Sequence, residues 1–539
     1  MPRVGWATVN GTDFATHIGA GVGSQGIAAV TTSAAPIGTG TGDATLNAAL
    51  TTNLPLSNAG GYALNSLKIA PGASGQAISL AAGAQLRTNG ILLAGSTDFS
   101  IDGTGSIANA GGVSPRYFHV HTADTTLTVN APVNGAIAPI VKVGAGTLVL
   151  TNTTNNLVTQ PVVINGGTLR ATPGTSLPSG EVRFRGGVLE ITGGGTFSRQ
   201  IGLGANRLTW AGVDALNAPI SQEQGSGGFA AVVANAIVDL TPLTGTDFAW
   251  EDTGFVNSGH ALIFGSTHAN AMLTWVDNIN LTSIAQAVNY NARQFRAIDN
   301  PASTNDVAVL SGTISGTVRN DFLKTGNGEL ILSGNNSFAG ATLITNGTLR
   351  VNGSTTNSFL TDVRNGGTLG GSGTVAGVQV EGNGTVAPGD RAGRSSILNT
   401  ADLTFAATGA KLAIELGGTT AGGNGVTGYD RVNVTGSVTL GGGQLTGSLL
   451  NNFTASPTDL FFIIINDGAD AVQGTFAQGA FVTIGSQVFS IGYTGNVATN
   501  SFSAPGGNDV VLRLAIPEPC AGTLLALGAL GLGIRRRRP

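Results

Sequence analysis

Cysteine is almost missing from this chain: Cys520 is the single one in 539 residues, so neither an internal disulfide nor a thiolate metal site can form. Charge is scarce too. Asp, Glu, Lys and Arg make up 10% of the residues against a usual share of about 25%, and lysine occurs only at Lys68, Lys142, Lys324 and Lys411. A formal net charge of −4 and the lack of a basic face exclude the footprint of a nucleic-acid binder. The same scarcity argues against disorder, because disordered chains are rich in charge and poor in branched apolar residues. No Gly-x-Ser-x-Gly elbow stands between a strand and a helix, and no glycine-rich run leads into the Lys-Ser or Lys-Thr of a phosphate loop.

What fills the space is glycine, 84 of them, with Thr, Ala, Val, Leu and Asn in a repeating text. An apolar residue opening a short alternating run recurs at Leu67, Leu86, Ile107, Leu127, Leu148, Leu169, Leu189 and Leu208, in steps of 19 to 21. A second train reads Leu310, Leu330, Leu349 and Leu369. Alternation as in Thr147-Leu148-Val149-Leu150 is the strand pattern and predicts leucines inward with Thr and Arg outward. Asn165-Gly166-Gly167, Gly186-Gly187, Asn346-Gly347 and Asn365-Gly366-Gly367 stand between the runs, where residues that accept positive φ let the chain turn.

A coil of about twenty residues with two or three short strands is one turn of a β-solenoid, each strand bonding its equivalent roughly 4.8 Å away. A β-sandwich also has short strands and turns, but it does not predict apolar residues in phase at a step of twenty. The expected fold is therefore all-β: a right-handed parallel β-helix with a C-terminal β-rich cap and one terminal transmembrane helix. The expected layout is coils over 1–210, irregular aromatic-rich coils with long loops over 211–306, repeat coils over 307–390, a closing β-rich region over 391–514 and a tail over 515–539. The strands at 411–416 and 431–434 are expected to pair locally within that closing region.

The words Lys142-Val143-Gly144-Ala145-Gly146-Thr147-Leu148-Val149-Leu150 and Asn165-Gly166-Gly167-Thr168-Leu169 resemble the autotransporter-associated β-strand repeat. The second copy, from Leu323-Lys324-Thr325-Gly326-Asn327-Gly328 to Asn346-Gly347-Thr348-Leu349, resembles it more closely, and Gly384-Thr385-Val386-Ala387-Pro388-Gly389-Asp390 is similar to the family's continuation. The resemblance implies a β-helix stalk outside a cell of Gram-negative type. No twelve-strand barrel follows, so self-secretion through the outer membrane is not expected.

At the other end, Pro517, Glu518 and Pro519 precede an apolar stretch at 520–534 and then Arg535, Arg536, Arg537 and Arg538. This order resembles the PEP-CTERM sorting signal, which implies an exosortase, a membrane transpeptidase that cuts near the Pro-Glu-Pro motif. Fifteen helical residues reach about 22 Å, short of a hydrocarbon core of roughly 30 Å. Arginines reaching to the interface help such a marginal span and place the C-terminus in the cytoplasm. Residues 1–10 carry no apolar leader core, so a leader upstream of this start is expected.

Candidates for chemistry are few. His119 and His121, spaced two apart on a strand, could chelate a metal if Asp124 joined them, although an exposed strand pair is the simpler reading. His260 and His268 fall near Glu251 and Asp252 without ligand spacing and read as loop residues. A glycosidase in a solenoid would need two acids from neighbouring coils, and Asp98 with Asp102, Asp299 with Asp306, and Glu181 with Glu190 do not keep that step. The sequence thus predicts no catalytic, cofactor or metal residues. The expected function is an exported, adhesin-like structural protein presenting Thr, Asn and aromatic loops to matrix polysaccharide or other cells. The alternative is a secreted β-helix polysaccharide lyase or hydrolase.

Overall fold

The computed structural model describes residues 8–10, 12–18, 26–29, 33–34, 42–59, 61–110, 115–134, 138–210, 212–213, 219–220, 225–243, 245–282, 292–317, 320–364, 366–423, 425–468 and 470–515. The chain is all-β, with mostly parallel strands in long sheets, and divides into two compact units, 1–349 with 353–359 and 350–352 with 360–539.

In the first unit, coil follows coil along several parallel ladders. One ladder steps from Leu54–Leu56 through Ala77–Leu80, Phe99–Gly103, Thr126–Val129, Thr147–Leu150, Thr168–Ala171 and Val188–Ile191. It continues through Gly227–Ala231, Ala261–Phe264, Arg293–Ala297 and Phe322–Thr325 to Thr342–Ile344. Leu127, Leu148, Leu169 and Leu189 lie directly opposite one another, all fully buried. Near the N-terminus an antiparallel hairpin, Asp13–Ile18 with Gly26–Ala29, brings Phe14 against Leu92 and Ala94.

The periodicity holds in fewer places than the leucine spacing suggests. Leu67 and Leu86 sit in a different ladder, where Leu67 faces Ile91 and Leu86 faces Tyr62 and Ile107. In the second train Leu310 faces Leu332 rather than Leu330, a shift of two that keeps the same face inward. Thr147 and Thr168 do not point outward: both are buried, and their hydroxyls meet at 2.6 Å across adjacent coils.

Between 190 and 325 the coils widen while the ladder keeps its order. Leu189 faces Phe229, Phe229 faces Phe264, and Phe295 faces Lys324, so one turn takes about 30–40 residues instead of twenty. A longer circumference encloses a larger section, which must be filled to normal density. Aromatic side chains fill it. Phe229, Phe248, Trp250, Phe255, Phe264, Trp275 and Phe295 are all buried, packing in edge-on and tilted pairs such as Phe229–Trp275 at 6.3 Å and Phe248–Phe255 at 5.3 Å. The aromatic residues expected in display loops are therefore core.

One turn in this region is strained. Val233 has φ +74 and is 82% exposed, so a β-branched residue holds a left-handed conformation without gaining burial. Val233→Asn should raise stability by roughly 1 kcal/mol, read as an increased urea midpoint; an unchanged or lower midpoint would remove the strain argument.

The second unit, taken by itself, is also built on parallel ladders. Thr361–Val363, Val378–Val380, Leu403–Phe405 and Val438–Thr439 form one, and Gly367–Gly370, Thr385–Val386, Lys411–Leu416 and Gln444–Leu449 another. A third runs through Ile397–Thr400, Arg431–Val434 and Phe461–Asn466. Lys411–Leu416 and Arg431–Val434 thus pair coil to coil, departing from the expectation of local pairing, though Leu416 also meets Tyr429 in an antiparallel pair. Antiparallel closure comes later, where Phe461–Asn466 pairs with Asp509–Leu514, which pairs with Gln487–Gly495 and its hairpin partner Phe481–Ile484. Among the described residues no helix is long and apolar enough to cross a membrane. Pro517, Glu518, Pro519, Arg535, Arg536, Arg537, Arg538 and the expected terminal helix lie outside the described residues.

Candidate functional site

The two strands Ile140–Val143 and Phe322–Thr325 each bring a lysine to an inward-facing position next to a coil corner. Lys142 Nζ donates to the carbonyls of Val143, Gly144 and Gly166 at 2.8–3.1 Å, and Lys324 Nζ to those of Thr325, Gly326 and Asn346 at 2.9–3.1 Å. Both are fully buried, and burial pushes each amine down to about 7. Three acceptors match the three N–H bonds of an ammonium, which opposes that push. The corner needs glycine: Gly144 and Gly326 have φ +87 and +75, and a Cβ there would lie 2.2 and 2.1 Å from a carbonyl of the preceding coil.

Beyond each lysine a buried asparagine closes the next corner. Asn155 Oδ1 accepts from the Val133 N–H at 2.8 Å and Asn336 Oδ1 from the Ile314 N–H at 2.9 Å, both one coil back.

Residues 140–171 and 322–351 match the passenger-associated-transport-repeat family. Each matched segment thus contains one corner held by a lysine and a following corner held by an asparagine. A stretch of 109 residues, 20% of the chain, is 40% identical to 3% of the adhesin BmaC autotransporter of Brucella suis biovar 1 (strain 1330). Another of 78 residues, 14% of the chain, is 40% identical to 7% of an extracellular serine protease of Serratia marcescens. The chain spans only these small fractions of the two relatives' length.

The histidines expected to share a face separate. His119 is buried with its ring 5.6 Å from Phe14 and 6.1 Å from Tyr117, whereas His121 and Asp124 lie exposed beyond the strand's end. Among the described residues no three His, Cys, Asp or Glu side chains gather as metal ligands.

His268 does not join Glu251 and Asp252. It lies 3.6 Å from Glu190, a fully buried carboxylate that also receives Arg170 at 2.5 Å and the Ser266 hydroxyl at 2.7 Å. Burial works against its charge, but His268, Arg170 and Ser266 hold Glu190 below the usual carboxylate range. Glu251 instead pairs with the buried Arg293 at 3.2 Å.

The acids considered for hydrolysis serve the coils. Asp98 accepts from the Thr126 N–H at 2.7 Å, Asp102 from Asn130 and Ser100 at 2.6 Å, and Asp306 from the Asn300 N–H at 2.6 Å. Glu181 pairs with Arg183 at 2.8 Å.

Sequence reading missed a cluster in the second unit. Arg350, Glu415 and Asp430 line a pocket of about 280 Å³. Asp430 is fully buried, its two oxygens each accepting a backbone N–H, of Ser396 and Glu415, at 2.8 Å. Burial pushes Asp430 up to about 8, with Glu415 adding to the push while the two backbone donors and Arg350 pull the other way. Nothing in the spacing marks these three, which come from separate coils.

A raised carboxyl opposes the fold once ionised. The stability contributed by protonated Asp430 is whole below about pH 4 and declines as pH climbs toward about 8. Between pH 5 and 7 the wild type should lose about 2–3 kcal/mol more than Asp430→Asn. Urea titrations at the two pH values read the difference, and parallel behaviour of the two proteins would refute it.

Proposed function

We propose that this chain is the exported display portion of a cell-surface or extracellular-matrix protein of the adhesin type, without enzymatic activity of its own. The observation that carries the reading is that both matched segments build the same two successive corners, one held by a lysine and the next by an asparagine, inside stacked parallel coils. The likeness of one segment to an autotransporter adhesin supports export. Stacked coils satisfy their backbone internally and set polar side chains at a regular pitch, as in Asp102, Asn130 and Thr151, linked at 2.6 Å from coil to coil. Such rows suit weak, repeated contact with polysaccharide or another cell envelope.

The tail at 515–539 is read as the sorting signal, with Pro517, Glu518 and Pro519 as the motif addressed by an exosortase. In this reading the apolar stretch 520–534 is held transiently in the inner membrane and Arg535, Arg536, Arg537 and Arg538 remain on the cytoplasmic side. Expression of the full chain in a Gram-negative host carrying an exosortase, with intact-cell proteolysis and mass measurement of the mature C-terminus, tests both parts. Digestion by external protease and loss of about twenty residues are expected. Full protection in intact cells would overturn export, and an unaltered C-terminus would overturn sorting.

A further inference from the structure

We propose that the pocket lined by Arg350, Arg391, Glu415, Thr446 and Ser448 binds one neutral sugar ring through its hydroxyl groups. This deepens the display reading and rests on it. The floor comes from two adjacent strands: Ala413 and Glu415 of Lys411–Leu416 pair with Thr446 and Ser448 of Gln444–Leu449, which puts a carboxylate beside two hydroxyls. The opposite wall is the segment 387–393.

That wall is fixed in place. Arg350, 6% exposed, donates from Nη1 to the Gly389 carbonyl at 2.9 Å, and Asp390 pairs with Arg394 at 3.2 Å. Glu415 accepts a hydrogen bond from the Gly393 backbone, joining floor to wall. The recess is therefore held open by the fold itself.

The charge arrangement selects the ligand. Two guanidinium groups, Arg350 and Arg391, disfavour a metal cation, and the Glu415 carboxyl beside the two hydroxyls disfavours an anion. A neutral polyol satisfies both kinds of wall at once, donating to Glu415 and accepting from arginine and the hydroxyls. Small residues, Ala387, Pro388 and Ala413, leave apolar surface against which the ring's C–H face can lie.

The test is calorimetric titration and ligand-observed NMR of the full-length chain with methyl glucoside, methyl galactoside and galacturonate. Saturable binding of a neutral glycoside is expected, weakened roughly tenfold or more by Glu415→Gln and by Thr446→Val, with melting temperatures held. Absence of saturable binding, preference for galacturonate, or binding that both variants leave unchanged would each overturn the proposal. Such a failure is distinct from failure of the display reading, which depends on surface exposure of the chain and not on this pocket.

Discussion

Lys324→Met should lower the stability of the first unit by roughly 3 kcal/mol. The substitution keeps the apolar stem but removes the donor shared by the Thr325, Gly326 and Asn346 carbonyls, leaving them buried without it. Relief from burying a charge offsets part of that loss, as replacement of buried ions by apolar groups shows elsewhere. Urea unfolding followed by amide exchange should place the loss at residues 322–351, the segment that the corner closes. Lys142→Met should behave alike, because its three carbonyl partners stand in the same arrangement. The pH dependence carries a sign. Burial lowers Lys324 to about 7, so its charged form costs stability below that pH, and wild-type stability should rise from pH 7 toward 10. The Met variant should lack that rise. A wild type flat over the same interval would mean that the three carbonyls hold the ammonium fully charged.

Trp275→Ala should cost about 4–5 kcal/mol. Trp275 is fully buried at the centre of the widened coils, where Trp210, Phe229, Phe248, Phe255 and Phe264 pack against it with ring centroids 5.9–6.4 Å away. Its indole N–H also donates to the Asp277 carbonyl at 3.1 Å. Alanine would leave a cavity that rigid stacked strands close poorly, whereas Trp275→Phe should cost about 1–2 kcal/mol by keeping most of the contact. Chemical denaturation of both variants provides the comparison, and equal losses would count against a packing origin.

The pocket of the second unit was not legible in the same way as the coils. Arg350, Glu415 and Asp430 lie far apart along the chain, and each on its own reads as a surface charge. The Glu190–His268 contact is hidden for the same reason, since it joins a residue at the start of the widened region to one well inside it. By contrast the two repeat segments were visible as words, because the Lys-x-Gly of the corner, with an asparagine twelve or thirteen residues on, is a local pattern whichever coil holds it.

The sequence by itself determined that leucines of short strands would face inward, that glycine would turn the corners, and that two segments would repeat one design. Those are properties of neighbouring residues, dictated by the pleat of a strand and the φ that a corner needs. Only the tertiary structure decided how long each coil is: Leu169 meets Leu189, but Leu189 meets Phe229. Ladder pairing joins backbone to backbone and tolerates any loop between strands, so circumference leaves no periodic trace. The described aromatic residues between 211 and 300 went inside because those wider coils enclosed more space than aliphatic side chains fill.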